Sequence, residues 1–288
     1  MSVLSSAYDR LSETRLEFGC CDTTFRVHAT GVRSASGAAA ARRTAAELEA
    51  ELDAFDPESA VSRLNDRGSV RNSHVARIVR RGLEYADRTG GVFDIRQGRL
   101  EHELKAYLSG ERDAPPETFD TGSITVDGDR VETDRPLDLN GLAKGYIVDR
   151  AAGALDGLGR TGFVSGGGDL SPPTGPVGIE SPYGDETPLK ILDTEWSVAT
   201  SGGYRRERAG VDHVYEPTAE RIGARHESVT VVARRDCMEA DALATTLAAL
   251  PLDDALSLAE GWDGLDALVV HGGVFYRTEG FDRHVVDA

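Results

Sequence analysis

Lysine is almost absent from this 288-residue chain. Only Lys105, Lys144 and Lys190 are lysines among 32 basic residues, and the rest are arginines. The 49 acidic residues outnumber the basic ones and give a net charge of -17. Such a chain repels nucleic acid and anionic lipid, so neither is expected as a partner. Dispersed carboxylates with so little lysine also suggest the hypothesis of a surface adapted to high salt, where screening weakens self-repulsion.

Cysteine is scarce, and long apolar runs are missing. Three cysteines, Cys20, Cys21 and Cys237, form neither a disulfide framework nor a zinc-ligand spacing, so we interpret them as small buried hydrophobes. With a mean hydropathy of -0.33, the chain has no candidate membrane span and is not expected to insert into a membrane. The N-terminus lacks the basic start and apolar core of a secretory signal, which predicts a cytoplasmic protein.

The hydrophobic pattern mixes helices and strands without a regular alternation, which predicts an α+β fold. LEFGCCDTTFRVHATG, LDLN, WSVATS and SVTVVA alternate like strands. Hairpins are predicted around Asp127–Gly128 and Gly272–Gly273. Residues 36–55, SHVARIVRRGLEYADRTG, AKGYIVDRAAGALDGLG and MEADALATTLAALP have helical spacing. GVFDIRQGRL is predicted to be a loop or short strand, and GGYRRE a polar turn.

The segment ADALATT places Asp241 and Thr245 four residues apart on one helix face. A carboxylate and a hydroxyl are hard oxygen donors that suit Mg²⁺. The alternative is structural: an Asp that binds backbone N–H groups at a helix start, and a Thr bonded to a backbone carbonyl. These residues alone leave both interpretations open.

Two further segments have features of a phosphate site. Gly166, Gly167 and Gly168 follow a predicted strand, and consecutive glycine amides can bind an anion, although an ordinary tight turn would use the same residues. Lys144 lies where a strand is expected to lead into a helix, whose N-terminal amides attract anions. A surface lysine is the alternative, but this chain uses arginine at nearly all such positions.

The segment VATSGGYRRERAGVDHVYEPT adds two hydroxyls, Thr200 and Ser201, at a turn and a histidine, His213, downstream. Histidine has a pKa near neutrality and can act as a general base. An exposed histidine is more often an ordinary surface residue, so this segment is not specific by itself.

Taken in order, the motifs closely resemble the ApbE family, the FAD:protein FMN transferases. They are AFDPESAVSRLN, GGVFDIRQGRL, LDLNGLAKGYIVDR, FVSGGGDL, VATSGGY, DHVYEPT and EADALATT, and they span residues from about 18 to 281. The resemblance implies an α+β, T-fold-related, two-lobed single domain at residues 15–285, preceded by an extension at 1–14. It also implies that FAD binds in a cleft between the lobes.

The family splits FAD with Mg²⁺ and transfers FMN to a Thr or Ser hydroxyl of a target flavoprotein, releasing AMP. On this resemblance, Ala143, Asp241 and Thr245 match the metal ligands, and Lys144 and Asp241 are assigned catalytic roles together with His213, the candidate proton acceptor. The positions that match FAD-contacting residues are Phe55, Ser59, Asn65, Lys144, Gly167, Gly168, Asp169, Thr200 and Ser201.

The chain departs from the family pattern after His213. The family usually has Asp-Pro and then a Thr- or Ser-Gly turn, whereas this chain has Glu216-Pro217-Thr218-Ala219-Glu220. The altered loop leaves an FAD pyrophosphatase, which would use water as nucleophile, as an alternative. A protein that binds FAD without turnover is a second alternative.

Overall fold

The computed structural model describes residues 13–156, 161–185, 187–202 and 207–286. Within these ranges helices and antiparallel sheets mix, so the predicted α+β class is confirmed. The predicted extension at residues 1–14 lies outside the described residues except for its last two, which already belong to the first strand. The domain limits at 15 and 285 therefore stay a prediction. No helix of the described segments is long and apolar enough to cross a membrane.

An eight-stranded sheet, the main sheet, forms the centre of the molecule, and all of its neighbouring strands are antiparallel. The strand order is β1-β2-β6-β7-β10-β15-β16-β17. The strands are β1 (Glu13–Cys20), β2 (Thr23–Thr30), β6 (Thr161–Gly166), β7 (Asp169–Leu170), β10 (Ser197–Ser201), β15 (Ser228–Ala233), β16 (Leu265–His271) and β17 (Val274–Arg277). Every residue of β15 is buried, as expected for a strand covered on both faces.

The described residues include seven α-helices: α1 (Ser34–Leu52), α2 (Ala60–Arg67), α3 (Ser73–Arg88), α4 (Gly98–Ser109), α5 (Asn140–Asp156), α6 (Cys237–Ala249) and α7 (Leu252–Glu260). Helix α5 packs between α1 and α6, and all three contact the main sheet. The small side chains of Ala38, Ala41 and Ala45 on α1 are buried and allow this layer to pack closely. Alanine is also the strongest helix former, so these residues favour the helix itself.

Smaller sheets surround this core. The strands β3 (Ser69–Arg71), β4 (Ile124–Asp127) and β5 (Arg130–Thr133) form a three-stranded sheet in the order β3-β5-β4. Three two-stranded sheets pair β8 (Val177–Ile179) with β9 (Lys190–Leu192), β11 (Glu207–Arg208) with β12 (Val211–Asp212), and β13 (Tyr215–Glu216) with β14 (Arg221–Ile222). The hairpins predicted at Asp127–Gly128 and Gly272–Gly273 are confirmed as β4–β5 and β16–β17.

Two local predictions were wrong, and a third missed the start of a helix. LEFGCCDTTFRVHATG is not one strand but the β1–β2 hairpin, since Cys21 and Asp22 both adopt positive φ, 54° and 55°, and form its turn. LDLN forms no strand, because its first three residues have no regular secondary structure and Asn140 already begins α5. GVFDIRQGRL is a loop up to Gln97, as predicted, but its last three residues begin α4 at Gly98. A side chain at Gly98 would lie 2.6 Å from the backbone of Leu137.

Candidate active site

A cleft with a volume of about 840 Å³ opens where α1, α4, α5, α6 and the loops after β6 and β10 meet. Nine of the residues predicted for the site line it. They are Phe55, Ala143, Lys144, Gly167, Thr200, Ser201, His213, Asp241 and Thr245. Segments that are up to 190 residues apart in sequence, from Phe55 to Thr245, therefore contribute to one concave surface.

The close approach of α5 to α6 forms the floor of the cleft. At Gly145 a Cβ atom would lie 2.6 Å from the carbonyl oxygen of Cys237, so only glycine permits this packing distance. One turn further along α5, the Asp149 carboxylate accepts hydrogen bonds from the N–H groups of Cys237 (2.9 Å) and Met238 (3.0 Å). These amides open α6, so Asp149 satisfies donors that have no partner within the helix. The AKGYIVD motif thus fixes the start of α6 against α5.

This packing brings a cation between two carboxylates. The Lys144 Nζ lies 3.2 Å from Asp169 Oδ2 and 3.8 Å from Asp241 Oδ1. The other Asp241 oxygen, Oδ2, accepts a hydrogen bond of 3.1 Å from the Gly145 N–H. The Asp169 side chain is 1% exposed, whereas that of Lys144 is 26% exposed and reaches the cleft. Asp169 therefore lies behind Lys144 and does not itself line the cleft.

The electrostatics of this group follow from burial and proximity. Burial and the nearby Asp241 raise the pKa of Asp169 well above its usual range, while Lys144 opposes the shift. Burial alone would lower the pKa of Lys144, but Asp169 and Asp241 outweigh it, and the pKa is raised. The lysine therefore stays protonated at neutral pH. It presents a fixed positive charge at a cleft wall that is otherwise rich in carboxylates.

The donors around Asp241 suit a hard cation. Thr245 lies one turn further along α6, also faces the cleft, and is half-buried. A Cβ atom on Gly141, in the first turn of α5, would lie 3.9 Å from Thr245 Oγ1 and 3.0 Å from the Phe93 ring, so the missing side chain leaves room in front of the hydroxyl. Ala143 lines the same part of the cleft. A carboxylate, a hydroxyl and a backbone carbonyl are the oxygen donors that Mg²⁺ accepts.

The glycine run forms the turn between β6 and β7. Gly167 and Gly168 have φ values of 59° and 107°, and they connect the paired residues Gly166 and Asp169 as a two-residue hairpin. A Cβ on Gly167 would lie 2.9 Å from the Thr23 side chain, so the turn packs too closely against Thr23 to hold a side chain. The Gly168 carbonyl accepts a hydrogen bond from the Thr200 N–H at 3.1 Å, which joins this turn to β10. The part of the GGYRRE turn at 203–206 lies outside the described residues.

The loop that carries His213 is held from both sides. The buried Asp212 carboxylate accepts hydrogen bonds from the N–H groups of Val214 (2.7 Å) and Ala224 (2.8 Å). Glu216, where the family usually has aspartate, pairs with Arg225 at 3.2 Å, and Arg225 also donates to the Ala249 carbonyl at the end of α6. The loop is therefore tied to the helix that carries Asp241 and Thr245.

The loop that lacks the family's glycine contains a non-glycine residue in a left-handed conformation. Glu220 has a φ of 47° and ends the short 3-10 helix Pro217–Ala219. This left-handed conformation is unfavourable for residues with a side chain. The hairpin β13–β14 nevertheless closes around it, with Glu216 paired to Arg221.

Two predicted contacts, Ser59 and Asn65, are not among the residues that line the cleft. The Ser59 hydroxyl accepts a hydrogen bond from the Ser62 N–H at 2.9 Å and caps the start of α2. The Asn65 side chain exchanges two hydrogen bonds with the backbone of Leu137 and so positions the segment before α5. Gly168 is likewise absent from the lining residues and contributes through the turn.

A second lysine lies in the cleft, which the sequence had not suggested. The Lys105 Nζ is 3.4 Å from the centre of the Phe55 ring and 3.3 Å from Asp22 Oδ2. The rings of His102 and Phe55 also pack nearly perpendicular to each other, with ring centres 4.7 Å apart. The rarity of lysine was the one available signal, since two of the three lysines face the cleft.

Asp138 and Tyr215 form another pair that sequence reasoning missed. Both line the cleft, and the Tyr215 hydroxyl donates a short hydrogen bond to Asp138 Oδ2. Burial raises the pKa of Asp138, and burial together with Asp138 raises the pKa of Tyr215. The position of Tyr215, two residues after His213, was the signal that could have revealed it.

Comparisons with known proteins show which family this fold belongs to. Two relatives named FAD:protein FMN transferase are 27% identical to the chain. The one from Vibrio cholerae serotype O1 matches over 74% of this chain and 73% of its own length, and the one from Treponema pallidum over 78% and 74%. The crystal structure of the ApbE protein from Thermotoga maritima superposes with a TM-score of 0.84 at 25% identity, covering 96% of this chain and all of that one. Because the model of the ApbE family also matches residues 21–269, this chain belongs to the ApbE family.

Proposed function

We propose that the chain is an Mg²⁺-dependent FAD:protein FMN transferase, which attaches FMN to a Thr or Ser hydroxyl of a target flavoprotein. The observation that carries this proposal is the meeting of Lys144, the Asp241–Thr245 pair and His213 in one cleft. A cation site, a fixed positive charge and a base are the three groups that transfer of a phosphate-linked group to a hydroxyl requires. The names of the relatives support the same activity.

In this proposal Asp241, Thr245 and the Ala143 carbonyl hold Mg²⁺. When bound, the ion neutralises negative charge on the FAD pyrophosphate and helps AMP to leave. Lys144 supplies a further positive charge to the same phosphates, and its contact with Asp169 holds the ammonium at the cleft wall. The Gly167 turn, where a side chain would collide with Thr23, brings the backbone of this segment to the cleft.

His213 is proposed to accept the proton of the acceptor hydroxyl. The hydroxyl oxygen attacks the FMN phosphorus, the bond to the bridging oxygen of the pyrophosphate breaks, and that oxygen leaves with AMP. The loop contacts of Asp212 and Glu216 fix the backbone on either side of the imidazole, so the base is positioned before the acceptor arrives. Asp138 and Tyr215 border the same region and are suited to hydrogen bonding with a ligand.

The partners follow from this chemistry. FAD is the flavin donor, and the acceptor is a flavoprotein segment with an accessible Thr or Ser, for which a cytoplasmic location is proposed. We also propose a high-salt environment, since a net charge of -17 destabilises the folded state least when it is screened. The midpoint of thermal unfolding is expected to rise from dilute buffer to molar KCl. A constant or falling midpoint would contradict the high-salt proposal.

The test uses the purified chain with FAD and Mg²⁺ in high KCl, with and without a flavoprotein domain that carries a candidate acceptor Thr. AMP release and the intact mass of the acceptor are followed together. AMP with an FMN-sized mass gain supports the transferase. AMP without mass gain on two different acceptors identifies the pyrophosphatase instead, and intact FAD bound to the magnesium-loaded protein identifies a binding protein.

A further inference from the structure

Two adjacent cysteines and a glutamate form a cluster on the cleft wall that the proposed transfer reaction does not use. Cys20 ends β1, Cys21 is the first residue of the β1–β2 turn, and Glu49 faces them from α1. One potential ligand atom of each residue, Sγ, Sγ and a carboxylate oxygen, lies within 4.8 Å of the other two. Cys21 and Glu49 line the cleft, whereas Cys20 is 3% exposed behind them.

We propose that this cluster is a binding site for a thiophilic divalent cation such as Zn²⁺ or Cd²⁺, separate from the magnesium site. The two sulfur atoms are 3.7 Å apart. Two thiolates on one tetrahedral zinc ion, with Zn–S bonds of about 2.3 Å, lie about 3.8 Å apart. The observed spacing therefore suits a shared ion without rearrangement, and Glu49 adds the third ligand. Water can complete the tetrahedron from the cleft side.

The local backbone supports this assignment. Two-residue hairpin turns with positive φ favour Asn and Gly, yet the first position here is Cys21 at φ 54°. The turn is held against α1, because the Glu49 carboxylate accepts a hydrogen bond from the Cys21 N–H. A divalent cation would favour the thiolate forms of Cys20 and Cys21 by binding them together with the Glu49 carboxylate.

The two cation sites differ in donor chemistry. Thiolates select Zn²⁺ and softer ions, whereas carboxylate, hydroxyl and carbonyl oxygens select Mg²⁺. Saturating Mg²⁺ should therefore leave the cysteine cluster open to Cd²⁺. An ion there would also join the β1–β2 turn to α1 and stiffen this wall of the cleft, so it should raise the unfolding temperature.

The test titrates the reduced full-length protein with Cd²⁺ in excess Mg²⁺ and follows the ultraviolet absorbance of sulfur-to-cadmium charge transfer. One equivalent should produce the full signal, and Zn²⁺ should displace the Cd²⁺. Cys21→Ser should weaken binding by about a hundredfold or more, and Glu49→Gln by about tenfold. Cys237→Ser is the matched control, since Cys237 is a fully buried thiol outside the cluster, and it should bind Cd²⁺ like the parent chain.

Several results would overturn the proposal. They are the absence of charge-transfer absorbance at equimolar Cd²⁺, displacement of Cd²⁺ by Mg²⁺, and a signal that Cys21→Ser and Glu49→Gln leave unchanged. Thermal unfolding without added metal shows whether each variant is folded. If Cys21→Ser is not folded, the Cd²⁺ affinity of Glu49→Gln tests the proposal instead. This substitution keeps the size of the side chain and removes its charge. The unfolding temperature of the parent chain should rise with Zn²⁺, and that of a folded Cys21→Ser variant should not.

Discussion

The Lys144 ammonium lies 3.2 Å from the carboxylate of Asp169, a side chain that is 1% exposed. This contact explains why a chain that otherwise prefers arginine has a lysine at this position. An ammonium is a compact charge on a flexible stem, whereas the planar guanidinium of arginine needs more room. The same lysine reaches the cleft and Asp241, so it connects a buried carboxylate with the proposed phosphate site.

Lys144→Ala is expected to affect stability and FAD affinity by separate routes. Without the ammonium, Asp169 becomes a buried group without its cation, and unfolding free energy should fall by about 1–3 kcal/mol. FAD affinity should fall by about tenfold or more, as measured by flavin fluorescence. Adding Asp169→Asn to the variant should restore much of the stability and leave the FAD affinity low.

Lys190→Ala is the control for Lys144→Ala, since Lys190 is the exposed lysine of β9 and does not line the cleft. It should change FAD affinity and stability little. If Lys144→Ala binds FAD as tightly as Lys190→Ala does, the assignment of Lys144 to the phosphates is wrong.

Thr245→Val removes one proposed magnesium ligand with little change in shape. The Mg²⁺ concentration for half-maximal turnover is expected to rise by about tenfold, the equivalent of about 1.4 kcal/mol of binding free energy. The matched control is Thr246→Val on the same helix, because the Thr246 hydroxyl is already bonded to the Ala242 carbonyl at 2.7 Å. If both variants raise the Mg²⁺ concentration for half-maximal turnover equally, Thr245 is not a magnesium ligand.

Glu220→Gly should stabilise the protein. The backbone at Glu220 is left-handed, with φ at 47°, and a side chain there costs about 1 kcal/mol that glycine avoids. Denaturant unfolding should show a gain of about 1 kcal/mol for glycine and none for Glu220→Ala, which keeps the strain. Equal stabilities of the two variants would show that this turn is not strained.

Asp149 predicts a pH dependence of stability. Burial raises its pKa to about 7, against an ordinary value of 3.8, although two backbone N–H groups oppose the shift. The folded state then binds a proton more tightly than the unfolded state does, so this group's contribution is fully present below about pH 4 and is lost as the pH rises toward 7. In Asp149→Asn this part of the pH dependence should vanish.

The comparison for Asp149 is the difference in unfolding free energy between the parent chain and Asp149→Asn, measured at several pH values. That difference should change by about 1–3 kcal/mol between pH 4 and 7 in favour of the variant. A constant difference across this range would show that Asp149 titrates normally.

Much of the site could be predicted because its residues lie in short, ordered motifs. Helical spacing predicted that Asp241 and Thr245 share one helix face, and the rarity of lysine drew attention to Lys144. Their roles at a metal and phosphate site were implied by the resemblance to the ApbE family and were not predicted by the spacing. Lys105 and Tyr215 were missed, since their contacts with Phe55 and Asp138 join segments that are distant in sequence or carry no motif. Helix α4 was missed because glycine at its start usually marks a loop, whereas here Gly98 is needed for contact with the backbone of Leu137.

The most direct test of the account is a comparison of flavin transfer by the parent chain and by Asp241→Asn. Both are incubated with FAD, saturating Mg²⁺ and the same acceptor domain, and the acceptor's intact mass is followed in a single turnover. Asp263→Asn is the control, because that carboxylate is 90% exposed and pairs only with a surface arginine in the described part of the chain. The account predicts an FMN-sized mass gain with the parent and the control, and none with Asp241→Asn. Transfer at the parent rate by a folded Asp241→Asn variant would contradict it.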